Sequence, residues 1–533
     1  MAFPRRGRLA FRLVRRSRGL GSLLGRLRSR RAPLRIGVDV GSALDLVGGV
    51  LTYVGGAFLV PAAVAVGYGE PWWPFVVAGA VTAGVGWSLD RLVTGTREQV
   101  GPREGFLVVA LIWLLVPAFG TLPYLLGDVE QLSSPVNAYF EAVSGFTATG
   151  ATVLTDIEAL DRSMLVWRQL THWLGGMGII VLAVAVLPRL RVGGRQLLSS
   201  ELAGPTELER LTATIRDTAR RLWALYVGLT ATCILGLALL GWTGIDPEMD
   251  LFQAVAHAFS VLALGGFSTQ NESAAAFVPA TQWFLVVFMV LAGINFLRLY
   301  RILVQRHVRV AARDEELRLY AAFLLAASLL LFVELLADGI AVGEGAVRDA
   351  VFQAVSIMTT TGFATADYTG WTALATLTLL LLMFVGASAG STGGSLKVVR
   401  HLLMVKLIRR ELRQAVHREA VIPVRLSGAV VDERALRSAF AFVVLYLGIF
   451  ALGTLGLLID ARRGEVEVAT FEAIGAAAAC LGNVGPAFGF AGPFGSYEPF
   501  GDLSTAILSM LMWLGRLEIV PVVVLLMRSY WRA

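Results

Sequence analysis

The sequence has few of the residues that covalent or metal-dependent chemistry requires. It contains two cysteines, Cys233 and Cys480, and five histidines among 533 residues. Both cysteines fall inside apolar segments, which argues against a disulfide framework or a zinc site. The histidines show no metal-ligand spacing such as HExxH. A membrane enzyme would need such a cluster of ligands or nucleophiles, so we expect no catalytic residues and no enzyme activity.

Charge is also scarce. Charged residues make up 16% of the chain and hydrophobic residues make up 56%. A soluble core could not hide so large an apolar fraction, so the composition predicts an integral membrane protein. Lysine is limited to Lys397 and Lys406, and the remaining positive charge is arginine.

What the sequence does contain is a repeated motif. Phe-[Glu/Gln]-Ala-[Val/Ile] occurs four times, starting at Phe140, Phe252, Phe352 and Phe471. A glycine follows each Phe after 10, 14, 10 and 14 residues. These glycines are Gly150, Gly266, Gly362 and Gly485. Matched spacing between long apolar segments indicates a repeated architecture.

Each copy begins as a short apolar helix and ends in a run of small residues or threonines. Glycine lets the backbone turn its carbonyl oxygens toward a dehydrated cation without a Cβ clash. A helix whose carboxyl end points at the ion adds about half a negative charge. A single glycine of this kind is more typical of helix packing, but four copies in register favour a cation selectivity filter made of four loops around one pore.

The apolar segments around the motifs predict the fold. A helix of about 20 apolar residues crosses a bilayer. We therefore predict an all-α polytopic membrane protein with ten transmembrane helices, in which four span, pore loop, span repeats surround a central pore and a two-helix hairpin precedes them. The predicted segments are an arginine-rich arm (1–43), the hairpin (44–103) and four pore repeats with their following loops (104–218, 219–317, 318–434 and 435–533).

The distribution of charge predicts the orientation. Arginine is dense in residues 1–43 and in the loops that follow the first three repeats, whereas the opposite loops carry mostly acids. The positive-inside rule then places both termini in the cytoplasm and the filter loops at the outer mouth. The arm next to a membrane segment is more typical of an anchor to anionic lipid than of nucleic-acid binding. The acidic outer loops either concentrate cations or are simply solvated.

Two features interrupt the predicted spans. A glycine-rich loop follows the apolar run 373–385, which is too short to cross alone; its residues are Gly386, Ala387, Ser388, Ala389, Gly390, Ser391, Thr392, Gly393 and Gly394. Irregular backbone at membrane depth lines a cavity or is buried in protein, so we expect this loop in or under the pore, with a helix-packing patch as the alternative. Arg516 lies within another apolar run. It either holds this loop as a gate or pairs with Glu518.

These features together resemble a known family. The four filter loops, residues 173–180 (Trp-Leu-Gly-Gly-Met-Gly-Ile-Ile), the 386–394 loop followed by Lys397, and residues 515–518 (Gly-Arg-Leu-Glu) are similar to TrkH-type potassium uptake subunits of the Trk/Ktr/HKT superfamily. The resemblance extends from about residue 44 to the end. The hairpin favours the Trk branch over the shorter Ktr branch.

The resemblance implies a homodimer in the plasma membrane, one pore per subunit, K+ bound in the filter, no organic cofactor, and control by a cytosolic TrkA-type nucleotide-binding subunit. It implies that the 386–394 loop obstructs the pore and that Arg516 helps to hold it. The implied K+ ligands are the carbonyls of Ala148, Thr149, Leu264, Gly265, Thr360, Thr361, Asn483 and Val484. The Gly265-Gly266 pair leaves two registers open for the second strand. Family members with serine at the first filter glycine pass Na+, so Gly150 favours K+.

The sequence thus predicts a K+ uptake channel, with a K+ symporter coupled to H+ or Na+ as the alternative. Symport would need a titratable group in the ion path, and the filter strands carry none. We expect Glu141 and Glu472 to brace the pore helices, although a role in proton transfer stays open.

Overall fold

The computed structural model describes residues 38–92, 101–181, 215–307, 313–463 and 467–532. Most of the predicted arginine-rich arm (1–37) and most of the loop after the first repeat (182–214) lie outside these residues. Within them the chain is mainly helical. One short hairpin of strands β1 (Arg425–Leu426) and β2 (Ala429–Val430) pairs antiparallel, with Arg425 opposite Val430.

The chain begins with the predicted two-helix hairpin. Its first arm is α1 (Val40–Ala57), continued after Phe58 by α2 (Leu59–Tyr68), and its second arm is α3 (Trp73–Leu92). The arms pack at short range because glycines face backbone. A Cβ on Gly86 would lie 2.6 Å from the Gly48 carbonyl oxygen. Small residues let two helix backbones approach closely. Close packing matters in a membrane because lipid is as apolar as the side chains, so the hydrophobic effect does not drive helices together.

The helices that follow occur in the order of the four predicted repeats: a first helix, a short helix that carries the motif and is called here the pore helix, and a second helix. The first helices are α4 (Pro102–Gly120) with α5 (Leu122–Leu126), α8 (Ile215–Trp242), α12 (Glu315–Ala337) and α16 (Glu433–Ala461). The pore helices are α6 (Pro135–Phe146), α9 (Leu251–Ala263), α13 (Gly343–Thr359) and α17 (Thr470–Gly482). The second helices and those after them are α7 (Arg162–Val181), α10 (Pro279–Ala292) with α11 (Phe296–Leu303), α14 (Ala373–Val385) with α15 (Val398–Val416), and α18 (Asp502–Arg516) with α19 (Val520–Leu526) and α20 (Arg528–Trp531).

The pore helices are more buried than the first helices. The pore helices lie in the interior, and every residue of α17 from 475 to 482 is buried. The first helices instead expose large apolar side chains, such as Leu325 on α12 and Leu452 on α16. Apolar side chains that face outward over whole helices are typical of lipid contact.

Among the described residues, five helices are long and apolar enough to cross a membrane, or seven if each of two bent pairs counts as one span. Helices also occupy the other predicted spans, but they are shorter or more polar. The ten-span count therefore stays a prediction. One of the more polar helices is α7, whose Arg168, Gln169 and His172 are fully buried against neighbouring helices.

The structure differs from the predicted continuous spans in repeats two and four. The α10–α11 pair bends by 109° and the α18–α19 pair by 114°. The first break leaves the Gly293 carbonyl free to accept the Ser388 amide at 3.0 Å. Such breaks are tolerated at membrane depth because neighbouring protein satisfies the freed backbone groups.

Gly86→Ala should lower the melting temperature of the detergent-solubilised protein. Its methyl group would collide with backbone of α1, and overpacking of this kind costs about 1–3 kcal/mol. Gly84 on the same helix is the control, because a Cβ there meets nothing within 4 Å. Gly84→Ala should leave the melting temperature unchanged or slightly higher. Equal effects of the two substitutions would contradict the close packing of the hairpin.

Candidate ion filter

The four pore helices end in the same backbone geometry. The residue two positions before each filter glycine has a positive φ: 49° at Ala148, 55° at Leu264, 64° at Thr360 and 54° at Asn483. The amide of the following residue then bonds the carbonyl five positions back, at 2.9, 3.0, 2.8 and 2.8 Å. This 6→1 bond is that of a Schellman cap. The cap turns the chain sharply out of each helix. The left-handed backbone conformation that it needs costs a non-glycine residue about 1–2 kcal/mol.

The four filter glycines form a closed ring. Their φ values are 85° at Gly150, 80° at Gly266, 86° at Gly362 and 101° at Gly485. A Cβ on each one would collide with a carbonyl oxygen of the next repeat in sequence, and the fourth with the first. The oxygens met in this order are those of Gly265, Thr361, Val484 and Thr149. Both the φ and the space therefore require glycine at these four positions.

The ring also fixes the register of the second strand. Gly266 has the positive φ that the other three filter glycines share, and Gly265 occupies the place of Thr149, Thr361 and Val484. The residues with predicted ligand carbonyls are 0% exposed at Ala148, Thr149, Leu264, Thr360, Thr361, Asn483 and Val484. Neutral carbonyl oxygens at the carboxyl ends of four helices can replace the hydration shell that a cation loses on entering a pore.

Side chains tie the first strand to the fourth. The Thr149 hydroxyl lies 2.7 Å from the Thr147 hydroxyl. The Asn483 side-chain amide donates to the Thr149 hydroxyl at 3.0 Å. The same amide donates to the Met512 carbonyl at 2.9 Å. Repeat three has a matching pair, with Thr359 and Thr361 hydroxyls 2.7 Å apart.

A buried ion pair lies within the first repeat, and its arginine also contacts the second repeat. Glu141 and Arg168 are both 0% exposed, and an oxygen of the carboxylate lies 2.8 Å from the guanidinium. Glu141 also accepts from the Val153 amide, while Arg168 donates to the Ser268 carbonyl at 3.2 Å. These contacts connect a pore helix with the segments that follow two filter strands. Sequence reasoning gave Arg168 no role, although an arginine inside a predicted span was a signal.

The second position of the motif contacts the segment after the filter glycine in the first three repeats, where Glu141 accepts from Thr152. Gln253 accepts from Thr269, and Gln353 lies 3.5 Å from Thr365. Both threonines follow the filter glycine of their own repeat. Glu472 instead accepts the Ala469 amide at 2.8 Å and caps its own helix. These contacts match a bracing role for this position.

Two histidines flank the second filter loop. The His172 ring stacks on Phe267 at 4.1 Å, and its Nδ1 lies 3.2 Å from the Ser260 hydroxyl. His257 lies 3.1 Å from the Ser268 hydroxyl. The His172 contact joins α7 to α9, which sequence spacing does not reveal, whereas His257 and Ser268 lie 11 residues apart within the second repeat.

The glycine-rich loop lies under the ends of three pore helices. The Thr392 hydroxyl donates to the Leu262 carbonyl at 3.1 Å, and the Gly394 amide donates to Thr360 Oγ1 at 2.7 Å. A Cβ on Gly394 would collide with the Gly482 carbonyl. Residues 386–394 are thus packed directly beneath the filter.

Arg516 contacts this loop. It is 2% exposed, and its guanidinium donates to the Thr392 carbonyl at 2.7 Å. Lys397 donates to the Gly393 carbonyl from within the same segment. Glu518 does not pair with Arg516; its carboxylate lies 2.6 Å from Arg400. The alternative Arg516–Glu518 pair is therefore wrong.

A mainly helical chain with several long apolar helices, folded around four buried glycine turns, defines a multi-pass membrane protein. A family model described as TrkH, cation transport protein, matches residues 75–532. The chain belongs to this family of plasma-membrane cation transport proteins, which are not enzymes. The resemblance drawn from the motifs is confirmed.

Relatives and a solved structure agree. The chain is 37% identical over 463 residues to the Trk system potassium uptake protein TrkH of Halomonas elongata, covering 86% of this chain and 92% of that one. It is 34% identical over 499 residues to TrkH of Escherichia coli K12, covering 91% and 98%. The crystal structure of the potassium transporter TrkH from Vibrio parahaemolyticus superposes with a TM-score of 0.83 at 33% identity, covering 93% of this chain and 100% of that chain.

Arg168→Met should lower the melting temperature strongly, because it leaves the Glu141 carboxylate buried without its cation, at a cost of about 3–5 kcal/mol. The double variant Glu141→Gln/Arg168→Met removes both charges and should recover much of the loss. Arg348→Met is the control, since Arg348 pairs with a Glu344 side chain that is 57% exposed. That pair should matter little. Equal losses in the two single variants would contradict a buried tie.

Proposed function

We propose that this protein conducts K+ into the cell through a pore whose selectivity filter is formed by the four glycine loops. The observation that carries the proposal is the closed ring, in which each filter glycine faces a carbonyl oxygen of the next repeat. Four neutral carbonyls around one axis suit a monovalent cation that has lost its water. The relatives in the family are named for potassium uptake.

Ion movement in this proposal needs no chemistry in the chain. The membrane potential supplies about 2.3 kcal/mol per elementary charge for each 100 mV. The filter contributes backbone oxygens, and the dipoles of the four pore helices direct partial negative charge toward the ion. The proposed ligands are the carbonyls of Ala148, Thr149, Leu264, Gly265, Thr360, Thr361, Asn483 and Val484.

The loop of residues 386–394 is the proposed gate. It packs beneath the filter, where it would obstruct an ion leaving toward the cytoplasm. Arg516 would keep it there through the Thr392 carbonyl. Opening would require that this contact break or that the loop move as a unit.

We further propose that the protein acts as a homodimer with both termini in the cytoplasm and a cytosolic TrkA-type subunit that controls the gate. The orientation is supported by the arginine-rich loops. The partner is supported by the relatives' names, which place them in a Trk system. Lys406 and Arg410 of α15, which form ion pairs with Glu315 and Glu433, belong to the surface that such a partner would meet.

Gly150→Ser should reduce the preference for K+ over Na+. A serine side chain at a φ of 85° would displace the Gly265 carbonyl and loosen the ring. The measurement is flux of K+, Rb+, Na+ and Li+ into liposomes that contain the purified protein alone. Wild type should pass K+ and Rb+ well above Na+ and Li+.

Gly448→Ser is the matched control, because Gly448 is exposed on α16 and a Cβ there meets nothing within 4 Å. Its selectivity should equal that of wild type. Unchanged selectivity in Gly150→Ser would place the ion path elsewhere. A reversal potential that moves with pH at fixed K+ would favour the H+-coupled symporter instead.

Arg516→Ala should raise K+ flux in the absence of any partner by about tenfold, because a buried hydrogen bond from a charged donor is lost. Selectivity should stay unchanged, since the filter ring is intact. Arg462→Ala removes an equal charge from an exposed position after α16 and should have no effect. Lower flux in a well-folded Arg516→Ala protein would argue against a gate held by this contact.

A further inference from the structure

The first half of the 386–394 loop has its own set of partners, separate from Arg516. The Ser388 amide donates to the Gly293 carbonyl at 3.0 Å, and the Phe296 amide donates to the Gly390 carbonyl at 3.1 Å. The Asn295 side-chain amide donates to the Ala389 carbonyl at 2.5 Å. These three partners all lie at the break between α10 and α11.

A buried carboxylate completes this set. Glu316, on the first turn of α12, accepts the Ala389 amide through Oε1 at 2.7 Å and pairs with Arg298 through Oε2. Arg298 also lies 2.8 Å from an oxygen of Asp314. Glu316 is 1% exposed and Arg298 is 5% exposed. One cation therefore stands between two carboxylates, and one of these carboxylates faces the loop.

Burying this ion pair costs desolvation free energy. Removing a carboxylate and a guanidinium from water takes free energy that their attraction repays only when every polar atom is satisfied. Both oxygens of Glu316 are used, one by Arg298 and one by the loop. A hydrogen bond to an ionised acceptor is roughly twice as strong as a neutral one, so an ionised Glu316 holds the Ala389 amide more firmly than a neutral side chain would.

We propose that Glu316, oriented by Arg298 and Asp314, is a positioning residue that holds residues 386–390 in the obstructing position, while Arg516 holds the second half. This inference rests on the proposed function, because it assumes that the loop closes a K+ pore. Two independent contacts, from Glu316 and from Arg516, would then hold the loop in the closed state.

Glu316→Ala should raise K+ flux into liposomes by about tenfold in the absence of any partner. Glu316→Gln should give a flux between those of wild type and Glu316→Ala, because its neutral amide oxygen still accepts the Ala389 N–H, although more weakly than a carboxylate. Rescue by this variant distinguishes a positioning contact from a general need for charge. The preference for K+ over Na+ should not change. Glu315→Ala is the control, since Glu315 pairs with Lys406 and not with the loop.

Unchanged or lower flux in a monodisperse Glu316→Ala protein would overturn the proposal, as would a flux through Glu316→Gln as high as that through Glu316→Ala. If Glu316→Ala does not fold, Arg298→Lys takes its place: it keeps the charge but loses the two-carboxylate geometry, and it should raise flux. Wild-type flux from Arg298→Lys would also overturn the proposal. A wild type without K+ preference would instead refute the proposed function itself.

Discussion

The structure depends on one steric constraint, which is that no side chain fits at any of the four filter glycines. Each glycine faces a carbonyl oxygen of the next repeat, and the fourth faces the first. A change at one glycine therefore disturbs two repeats. Because close-packed interiors transmit such strain, the ring can hold its shape only if the four repeats are fixed relative to one another.

Polar ties supply this fixing at each junction between repeats. Arg168 joins Glu141 to the segment after the second filter strand, Arg298 of repeat two pairs with Asp314 and Glu316 of repeat three, and Arg400 of repeat three pairs with Glu518 of repeat four. The Asn483 amide closes the circle by donating to Thr149. Charge pairs of this kind contribute little net stability, but their geometry specifies how neighbouring repeats sit.

Sequence patterns predicted the elements that local periodicity determines. The motif spacing predicted four pore helices that end just before Gly150, Gly266, Gly362 and Gly485, and the apolar run 373–385 is a helix with those same bounds. The breaks in the second helices of repeats two and four were missed, because hydrogen bonds to distant segments stabilise them and hydropathy does not register such bonds. The pairing of Arg298 with Asp314 and Glu316 was not predicted either, because these residues come together only in three dimensions.

The two helix breaks contact the two halves of the 386–394 loop. One break presents Gly293 and Asn295 to the first half of the loop, and the other ends α18 at Arg516, which bonds the second half. The loop is thus clamped between two segments that each bend by more than 100°. Both segments contact the loop directly. If the loop is the gate that we propose, a movement of either segment would reach it without passing through the four-glycine ring, and the ring would keep its geometry while the loop moves.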